Sequence, residues 1–199
     1  MIRLSRKLPR KIAVAVSGGC DSMAALDFLR RSHDVVALHY NHGTPFSDNA
    51  ENIVYEYCKE HSVDCRRSKN LHEPPRGASL ENFWREARYN FFENSRKGLS
   101  VVTCHHLDDV AERWLFTAMN GNPHLIPAFR DCYIRPFLQT RKEVFEGWCD
   151  RKKVPYIEDP SNMDTRFMRN FIRHEIMPRA LMVNPGIYKV LRKKLRAVC

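Results

Sequence analysis

Short apolar runs alternate with segments of helical periodicity along most of the chain. Residues 12–16 are apolar and rich in β-branched side chains, a pattern typical of a buried parallel strand. Residues 23–29 then repeat apolar side chains every three or four positions, which indicates an amphipathic helix. Further strands are predicted at 34–40, 63–68, 99–104 and, briefly, Arg135–Pro136. This alternation predicts a doubly wound parallel α/β sheet of about five strands, with helices on both faces.

The longer helices are expected to begin at polar capping residues. Asp48 is predicted to cap a helix that runs to about His61, and a second long helix is predicted to start near Ser79. The apolar residues of this second helix recur every three or four positions, as in a stripe that faces the core. They are Leu80, Phe83, Trp84, Ala87 and Phe91. The stripe is therefore expected to face the core, which leaves Tyr89 and Phe92 as candidates for stacking on a base.

The last third of the chain is predicted to be helical and basic. Residues 142–151 and 167–176 have helical patterns, and residues 189–196 form a basic amphipathic stretch. The run at 120–128 contains two prolines and a glycine and predicts a loop. We expect one domain over 1–199, with a sheet core at about 10–157 and a C-terminal helical extension at about 158–199.

Charge is distributed unevenly along the chain. The 199 residues carry a net charge of +10, and residues 140–199 hold 14 Lys and Arg against 7 Asp and Glu. A basic C-terminal third favours a nucleic-acid partner over a membrane, although a solvated basic surface is the plainer alternative. No apolar stretch reaches spanning length, and the first residues lack the apolar run of a signal peptide. The seven cysteines are scattered without a CxxC pair, which predicts reduced thiols in a cytoplasmic protein.

The turn after the first strand has the composition of an anion-binding loop. Two glycines let the backbone approach a ligand closely, and the following helix directs its free N-terminal amides at it. The carboxylate of Asp21 would repel a bare phosphate, so Mg²⁺ is expected between the two. A tight turn in which Ser and Asp merely cap the helix is the plainer alternative. The residues expected to bind the nucleotide are Ser17, Gly18, Gly19, Cys20, Asp21 and Ser22.

The segment His105-His106-Leu-Asp108-Asp109 follows the predicted fourth strand. Ligands of such sheets bind beyond the C-terminal ends of the strands, so this segment is expected to lie near the turn at residues 17–22. A second carboxylate there would complete a magnesium site or act as a base. A transition-metal site at His105, His106, Asp108 and Asp109 is a less favoured alternative, and a helix cap at Asp108 is the plainer one.

Five motifs in order along the chain support a resemblance to a known family. They are SGGCDS at 17–22, REARYNFF at 85–92, HHLDD at 105–109, IRPF at 134–137, and EDPSN at 158–162 with RNFIR at 169–173. Together they resemble the catalytic domain of the tRNA(Ile)-lysidine synthetases, which are N-type ATP pyrophosphatases with a PP-loop. Two segments depart from the family pattern: Asn120-Gly-Asn-Pro123 and Arg113. Many members also continue into C-terminal tRNA-binding domains beyond the point where this chain ends.

The resemblance implies a two-step ligase reaction with ATP and Mg²⁺ as cofactors. ATP would adenylate the C2 oxygen of the wobble cytidine in a CAU-anticodon tRNA(Ile), and the amine of free L-lysine would then displace AMP. The implied catalytic residues are Asp21, Arg85, His105 and Asp109, with Asp21 and Asp109 as magnesium ligands and either Asp109 or His105 as the base. The residues expected to bind substrate or tRNA are Arg88, Asn162, Arg169, Asn170, Arg173, Arg192, Lys193 and Lys194.

Two other functions remain open, together with the oligomeric state. A tRNA thiolation enzyme would share the loop and the basic charge, but such enzymes generally need cysteine pairs. A non-catalytic RNA-binding module would keep only a remnant of the nucleotide site. A homodimer is a further expectation, and no membrane association is expected.

Overall fold

The computed structural model describes the chain except Arg76, Ala78 and Cys199, and within that part it describes every side chain but those of Glu81 and Val198. The strands are β1 (Lys11–Ala15), β2 (Asp34–Asn41), β3 (Asp64–Lys69), β4 (Val101–Val102), β5 (Phe129–Arg130) and β6 (Tyr133–Ile134). The helices are α1 (Cys20–Arg30), α2 (Pro45–Glu60), α3 (Leu80–Ser95), α4 (Leu107–Met119), α5 (Lys142–Lys152), α6 (Met168–Phe171), α7 (Met177–Val183) and α8 (Ile187–Val198). A π-helical segment, Ile172–Ile176, joins α6 to α7.

The six strands form one sheet in the order β3-β2-β1-β4-β6-β5. All neighbouring pairs are parallel except β5 and β6, which form an antiparallel hairpin. The predicted doubly wound α/β architecture is confirmed, and β5 is an addition to the five expected strands. The fifth predicted strand ends at Ile134, so Arg135 and Pro136 follow it instead of forming it.

The core occupies both faces of the sheet because the side chains of β1 alternate between them. Ile12 and Val14 pack with α1 and α5, where Met23 and Phe145 are fully buried. Ala13 faces the other side and packs with part of α3. This alternation is the physical reason that a continuous apolar run predicts a central strand.

Helix α3 buries a different face from the predicted one. Phe92 is only 4% exposed, and Tyr89 packs against it and against Tyr133, whereas Leu80 at the start of the helix is 44% exposed. The second half of the helix supplies the side chains that join the core: Phe92 and Tyr89 in addition to Phe91 of the predicted stripe. The prediction that Phe92 stacks on a base is therefore wrong, because its ring is buried, whereas that for half-buried Tyr89 stays a prediction.

Two helix starts also show how capping depends on context. Helix α3 begins after Ser79, whose hydroxyl accepts from the Asn82 amide, as predicted. Helix α2 begins earlier than expected, because Thr44 is its cap and accepts from the Ser47 amide at 3.1 Å. Asp48 lies inside the first turn of α2, where its carboxylate suits the positive end of the helix dipole.

The C-terminal helices pack on α4. Leu191 and Leu195 of α8 are buried in a cluster that includes Leu107 and Val110 of α4. The predicted helix at 167–176 is part of a longer helical run that contains the π-helical segment. These contacts fix the basic helix α8 beside the element that carries the HHLDD segment.

Candidate functional site

The loop between β1 and α1 has a backbone conformation that requires glycine. Gly18 has φ of +89°, and a Cβ atom there would lie 2.9 Å from the Cβ of Ala50 on α2. The Gly18 carbonyl accepts from the Ile157 amide at 3.0 Å, so a later segment of the chain closes one side of the loop. Gly19 occupies the N-cap position of α1.

The two serines of the loop hold its shape and do not cap the helix. The Ser22 hydroxyl accepts from the Ser17 amide at 3.1 Å and donates to the Gly19 carbonyl at 2.9 Å. No side chain caps α1. The Ser22 amide donates to the Gly19 carbonyl at 3.1 Å, while the amides of Cys20 and Asp21 precede the first intrahelical bonds. The structure thus differs from the plainer alternative of a capped turn and presents an open helix N-terminus, which favours a bound anion.

Asp21 and Cys20 point in different directions from this loop. The Oδ1 atom of Asp21 is buried without a hydrogen-bond partner, and its Oδ2 lies 3.5 Å from Nε2 of His106. The Cys20 thiol is buried and lies 3.8 Å from the thiol of Cys149 on α5. Hydrogen bonding to Cys149 and burial raise the pKa of Cys20. Asp21 is therefore available to a ligand, while Cys20 contributes its backbone to the loop and its side chain to the core.

His106 joins the loop to the HHLDD segment. It is the N-cap of α4 and forms a capping box with Asp109: the His106 amide donates to Oδ2 of Asp109 at 2.9 Å, and the Asp109 amide donates to Nδ1 of His106. Burial alone lowers the pKa of His106, but Asp109, Asp21 and Asp108 surround it and raise the pKa overall. The resemblance assigns a catalytic role to His105 and none to His106, although a polar residue three positions before Asp109 has the spacing of a capping box.

Asp108 has a structural role different from the predicted alternative of capping α4. Its carboxylate accepts from the Lys142 amide at 2.8 Å and from Arg141 at 3.0 Å, and the Tyr188 hydroxyl donates to it at 3.0 Å. It thus ties the start of α5 and helix α8 to α4.

His105 lies beside His106 with different chemistry. Its Nδ1 is 3.1 Å from the Thr103 hydroxyl. Burial lowers the pKa of His105 to about 4, and the positive charges of Arg135 and Arg169 lower it as well. The negative charge of Asp109 opposes them by raising the pKa. The ring is therefore neutral at pH 7.

Asp109 is the centre of a buried ion-pair cluster with α6 and the π-helical segment. Its Oδ1 accepts from Arg169, and Arg173 lies 3.6 Å from the same atom. Both arginines also contact Glu112: Nε of Arg169 lies 3.1 Å from its Oε2, and Nε of Arg173 lies 2.6 Å from its Oε1. Burial would raise the pKa of Asp109, but His106 and Arg169 lower it to about 2. Glu112 was not identified from sequence, although it lies one turn after Asp109 on the same helix face.

The structure brings together only some of the predicted substrate-binding residues. Asn170 is buried and donates to the carbonyls of Ser161 and Asp164, so it holds the turn at 159–166. Asn162 is exposed on that turn, and its carbonyl oxygen lies 2.9 Å from Nε2 of His174. The guanidinium groups of Arg169 and Arg173 point to the carboxylates of α4.

The arginines of α3 lie at the neighbouring strand end. Arg88 lies near His42, at the end of β2. Burial lowers the pKa of His42 to about 4, and the positive charge of Arg88 acts in the same direction. Arg85 is exposed one turn earlier, with its guanidinium 5.0 Å from the centre of the Tyr89 ring. Arg85 thus lies against α3 itself, and Arg88 lies near the end of β2.

On α8, the three predicted basic residues have two environments. Arg192 is half-buried and donates to the Gln139 carbonyl at 3.1 Å, whereas Lys193 and Lys194 are exposed.

The site suits magnesium at Asp21 better than at Asp109. The buried, unpartnered Oδ1 of Asp21 provides one carboxylate ligand. Both oxygens of Asp109 are already engaged, with Arg169 and with the His106 amide. Across the described part of the chain, no three or more His, Cys, Asp and Glu side chains form a metal-binding group. A magnesium ion here would be held mainly by phosphate oxygens, with Asp21 as its protein ligand.

Comparisons with known proteins identify relatives of this chain. Proteins named tRNA(Ile)-lysidine synthase are similar in sequence. One from Porphyromonas gingivalis is 34% identical over 206 residues, which cover 95% of this chain and 45% of that protein. One from Geobacter sulfurreducens is 33% identical over 195 residues, which cover 88% and 41%. The chain thus spans less than half the length of these relatives.

Solved structures share the fold at low sequence identity. The U34-tRNA thiolase NcsA from Methanococcus maripaludis superposes with a TM-score of 0.72 at 16% identity, covering 96% of this chain and 73% of that one.

No helix in the described part is long and apolar enough to cross a membrane. The family model described as a PP-loop domain matches residues 3–180. The chain therefore belongs to the PP-loop domain family.

Proposed function

We propose that this chain is the catalytic domain of an ATP-dependent tRNA(Ile)-lysidine synthase. The observation that carries the proposal is its 31–34% identity, over 88–95% of the chain, to relatives with that name. The substrates are then ATP, free L-lysine and an isoleucine tRNA with a CAU anticodon, whose wobble cytidine becomes lysidine. A cytoplasmic location and a homodimer remain predictions.

In the first step, the C2 oxygen of cytidine attacks the α-phosphate of ATP, and pyrophosphate leaves. The loop at 17–22 and the uncapped N-terminus of α1 would hold the phosphates through backbone amides. Magnesium bound with the nucleotide would neutralise charge on the phosphate oxygens, and Asp21 would hold it. An unpaired anticodon base is accessible to such a site at modest cost, because it need not be extracted from a duplex.

In the second step, the ε-amine of lysine attacks C2 and AMP leaves. The lysine ammonium must first lose a proton, and His105 is the proton acceptor in this proposal. Its pKa of about 4 keeps the ring neutral at pH 7, and its Nε2 has no partner among the described residues. Asp109 is less suitable as a base because its pKa is about 2 and its oxygens are engaged. Asp109 instead positions His106 and Arg169.

The substrate-binding roles expected for the basic residues divide by location. Arg88 lies near the end of β2, and Arg85 one turn before it, where either could contact polyphosphate or an RNA phosphate. Asn170 holds the turn at 159–166, and Arg169 and Arg173 bind the carboxylates of α4, which leaves exposed Asn162 as a contact to substrate.

The identity of the product tests this proposal. The protein is incubated with ATP, radiolabelled lysine and total tRNA, and the modified nucleoside is analysed by mass spectrometry. A cytidine heavier by one lysine minus one water is expected. A sulfur-for-oxygen increment would assign the chain to tRNA thiolation, and tRNA binding without any product would indicate a non-catalytic RNA-binding module.

A further inference from the structure

A pocket lined by four arginines lies on the surface between the N-terminal segment, the start of α5 and α8. Its volume is about 400 Å³. The guanidinium groups belong to Arg3, Arg141, Arg192 and Arg196, and no carboxylate residue contributes to the lining. The loop at 17–22 and the histidines of the HHLDD segment do not line this pocket either. It is therefore a separate concentration of positive charge.

The backbone and two of the arginines are held in place by the fold. The Thr140 hydroxyl donates to the Arg3 carbonyl at 3.2 Å, which anchors the N-terminal segment at the pocket. Arg192 donates to the Gln139 carbonyl, and Arg141 is fixed by Asp108. The guanidinium of Arg141 also lies 3.7 Å from the centre of the Tyr188 ring. The pocket thus has a defined shape before any ligand binds.

The other two arginines have unused charge. Arg3 and Arg196 are exposed, and within the described part of the chain no carboxylate lies within 4.0 Å of either guanidinium. Asp108 and, at 4.0 Å, Glu143 are the acidic partners of Arg141. Like charges gathered in one pocket repel one another, so an anion that enters it gains from all of them. Guanidinium groups match the geometry of phosphate oxygens particularly well.

The surroundings favour a polymer over a single phosphate. Ser5 lines both this pocket and an adjoining cleft of about 870 Å³, whose lining includes Arg6 and Lys194. The basic side chains therefore continue beyond the pocket along the same side of the molecule. A chain of phosphates can contact both places at once, whereas an isolated phosphate occupies only one.

We propose that this arginine pocket binds a backbone phosphate of the RNA substrate, away from the nucleotide loop. The inference rests on the proposed function only for the identity of the RNA. The pocket would position the tRNA while its anticodon reaches the loop at 17–22. Binding there is electrostatic and independent of base sequence.

The test measures tRNA binding by the double variant Arg3→Gln, Arg196→Gln at several salt concentrations, without lysine. We expect about tenfold weaker binding and a slope of log K against log salt reduced by about 1 to 2, because fewer counterions are released. The matched control is Lys11→Gln, Lys59→Gln, which removes two exposed charges at the start of β1 and the end of α2. The control is expected to keep wild-type affinity. Unchanged melting temperatures and Mg·ATP binding show that both variants are folded.

The possible outcomes separate this inference from the proposed function. If the double variant binds tRNA with the affinity and the salt dependence of the wild type, the proposal that the arginine pocket binds RNA is wrong. Loss of stabilisation by inorganic phosphate without loss of tRNA binding also overturns it, in favour of a small anion. If the variant loses tRNA affinity as expected but the wild type forms no lysidine, the pocket stands and the proposed reaction fails. A wild-type protein that binds no tRNA overturns both.

Discussion

At the scale of single residues, the site combines one available carboxylate with several that are already paired. Asp21 has a buried oxygen without a partner, whereas Asp109 and Glu112 are neutralised by Arg169 and Arg173. A buried polar atom without a partner costs free energy, so its presence indicates a site that a ligand completes. The two kinds of carboxylate therefore respond differently to mutation.

Asp21→Asn should abolish AMP formation while leaving the fold intact. We expect a loss of about 10²-fold or more in rate, because charge stabilisation at the phosphates is removed. The melting temperature should change little, because the buried Oδ1 atom of Asp21 has no hydrogen-bond partner to lose. Asp34→Asn, which removes an exposed carboxylate 3.7 Å from Arg10, is the matched control. Wild-type AMP release by folded Asp21→Asn protein would contradict this role.

The pH dependence of amine transfer tests the proton acceptor. The pKa values of about 4 for His105 and about 2 for Asp109 leave both deprotonated above pH 6. Between pH 6 and 9 the single-turnover rate should therefore rise steadily with the fraction of neutral lysine amine, whose ordinary pKa is about 10.4. A rate that rises and then levels off within this range would point instead to His106, whose pKa is raised by Asp109 and Asp21.

Stability should also decline in acid, through the carboxylate of Asp109. A carboxylate whose folded pKa lies below its ordinary value stabilises the protein above that ordinary value. For Asp109 this stabilisation is present above about pH 4 and is lost as the pH falls towards about 2. Chemical denaturation from pH 5 to 2 checks the decline, and Asp109→Asn should flatten it. An equally steep decline in that variant would exclude Asp109 as its source.

At the scale of elements, the contact between α4 and the helical run after residue 168 organises the site. The two helices meet through two carboxylates and two guanidinium groups. The π-helical segment contains Arg173, so the irregular turn brings its guanidinium to Glu112. Removing one member of this cluster leaves charges unpaired.

Glu112→Ala should destabilise the protein by about 2–3 kcal/mol. Breaking a buried ion pair costs about 3–5 kcal/mol, and a smaller effect is expected here because Arg169 is more than half exposed. Glu112→Gln, which keeps the hydrogen-bonding oxygen, should cost less. Urea unfolding at pH 7 measures both variants, and equal stability of Glu112→Ala and the wild type would refute the cluster's contribution.

The elements were predictable from sequence to the extent that their signals are local. The apolar run before residue 17 and the glycines that follow it specify β1 and the loop, because few other conformations satisfy both. The buried face of α3 was not predictable, because it depends on which half of the helix meets the core. The second half does, so Phe92 is buried and Leu80 is exposed. The pairing of Asp109 with Arg169 depends on a contact across 60 positions, which no local pattern encodes.

At the scale of the whole molecule, positive charge is concentrated on the C-terminal third. The net charge is +10 overall, and α8 contributes exposed Lys193 and Lys194 beside half-buried Arg192. Leu191 and Leu195 anchor that helix on α4, so its basic face has a fixed orientation. Such a surface attracts RNA over distances of about a Debye length.

Replacement of Arg192, Lys193 and Lys194 with glutamine should weaken tRNA binding and flatten its salt dependence. Up to three phosphate contacts would be lost, which lowers the slope by about 1 to 3. Mg·ATP binding should be nearly unchanged, because none of the three contacts the loop at 17–22. Titrations at two salt concentrations decide the matter. A triple variant indistinguishable from the wild type would mean that this face of α8 is only solvated.

The contact between Gly18 and Ala50 has a consequence for how this sequence can evolve. The space for a Cβ at position 18 is already filled by a methyl group on another helix, with 2.9 Å between the two positions. Ala50 is 2% exposed, so a larger side chain there would push on the loop from the other side. Residue 50 is thus constrained by the conformation of the loop at 17–22. An alignment of relatives should show Gly, Ala or Ser there, even where the rest of α2 varies freely.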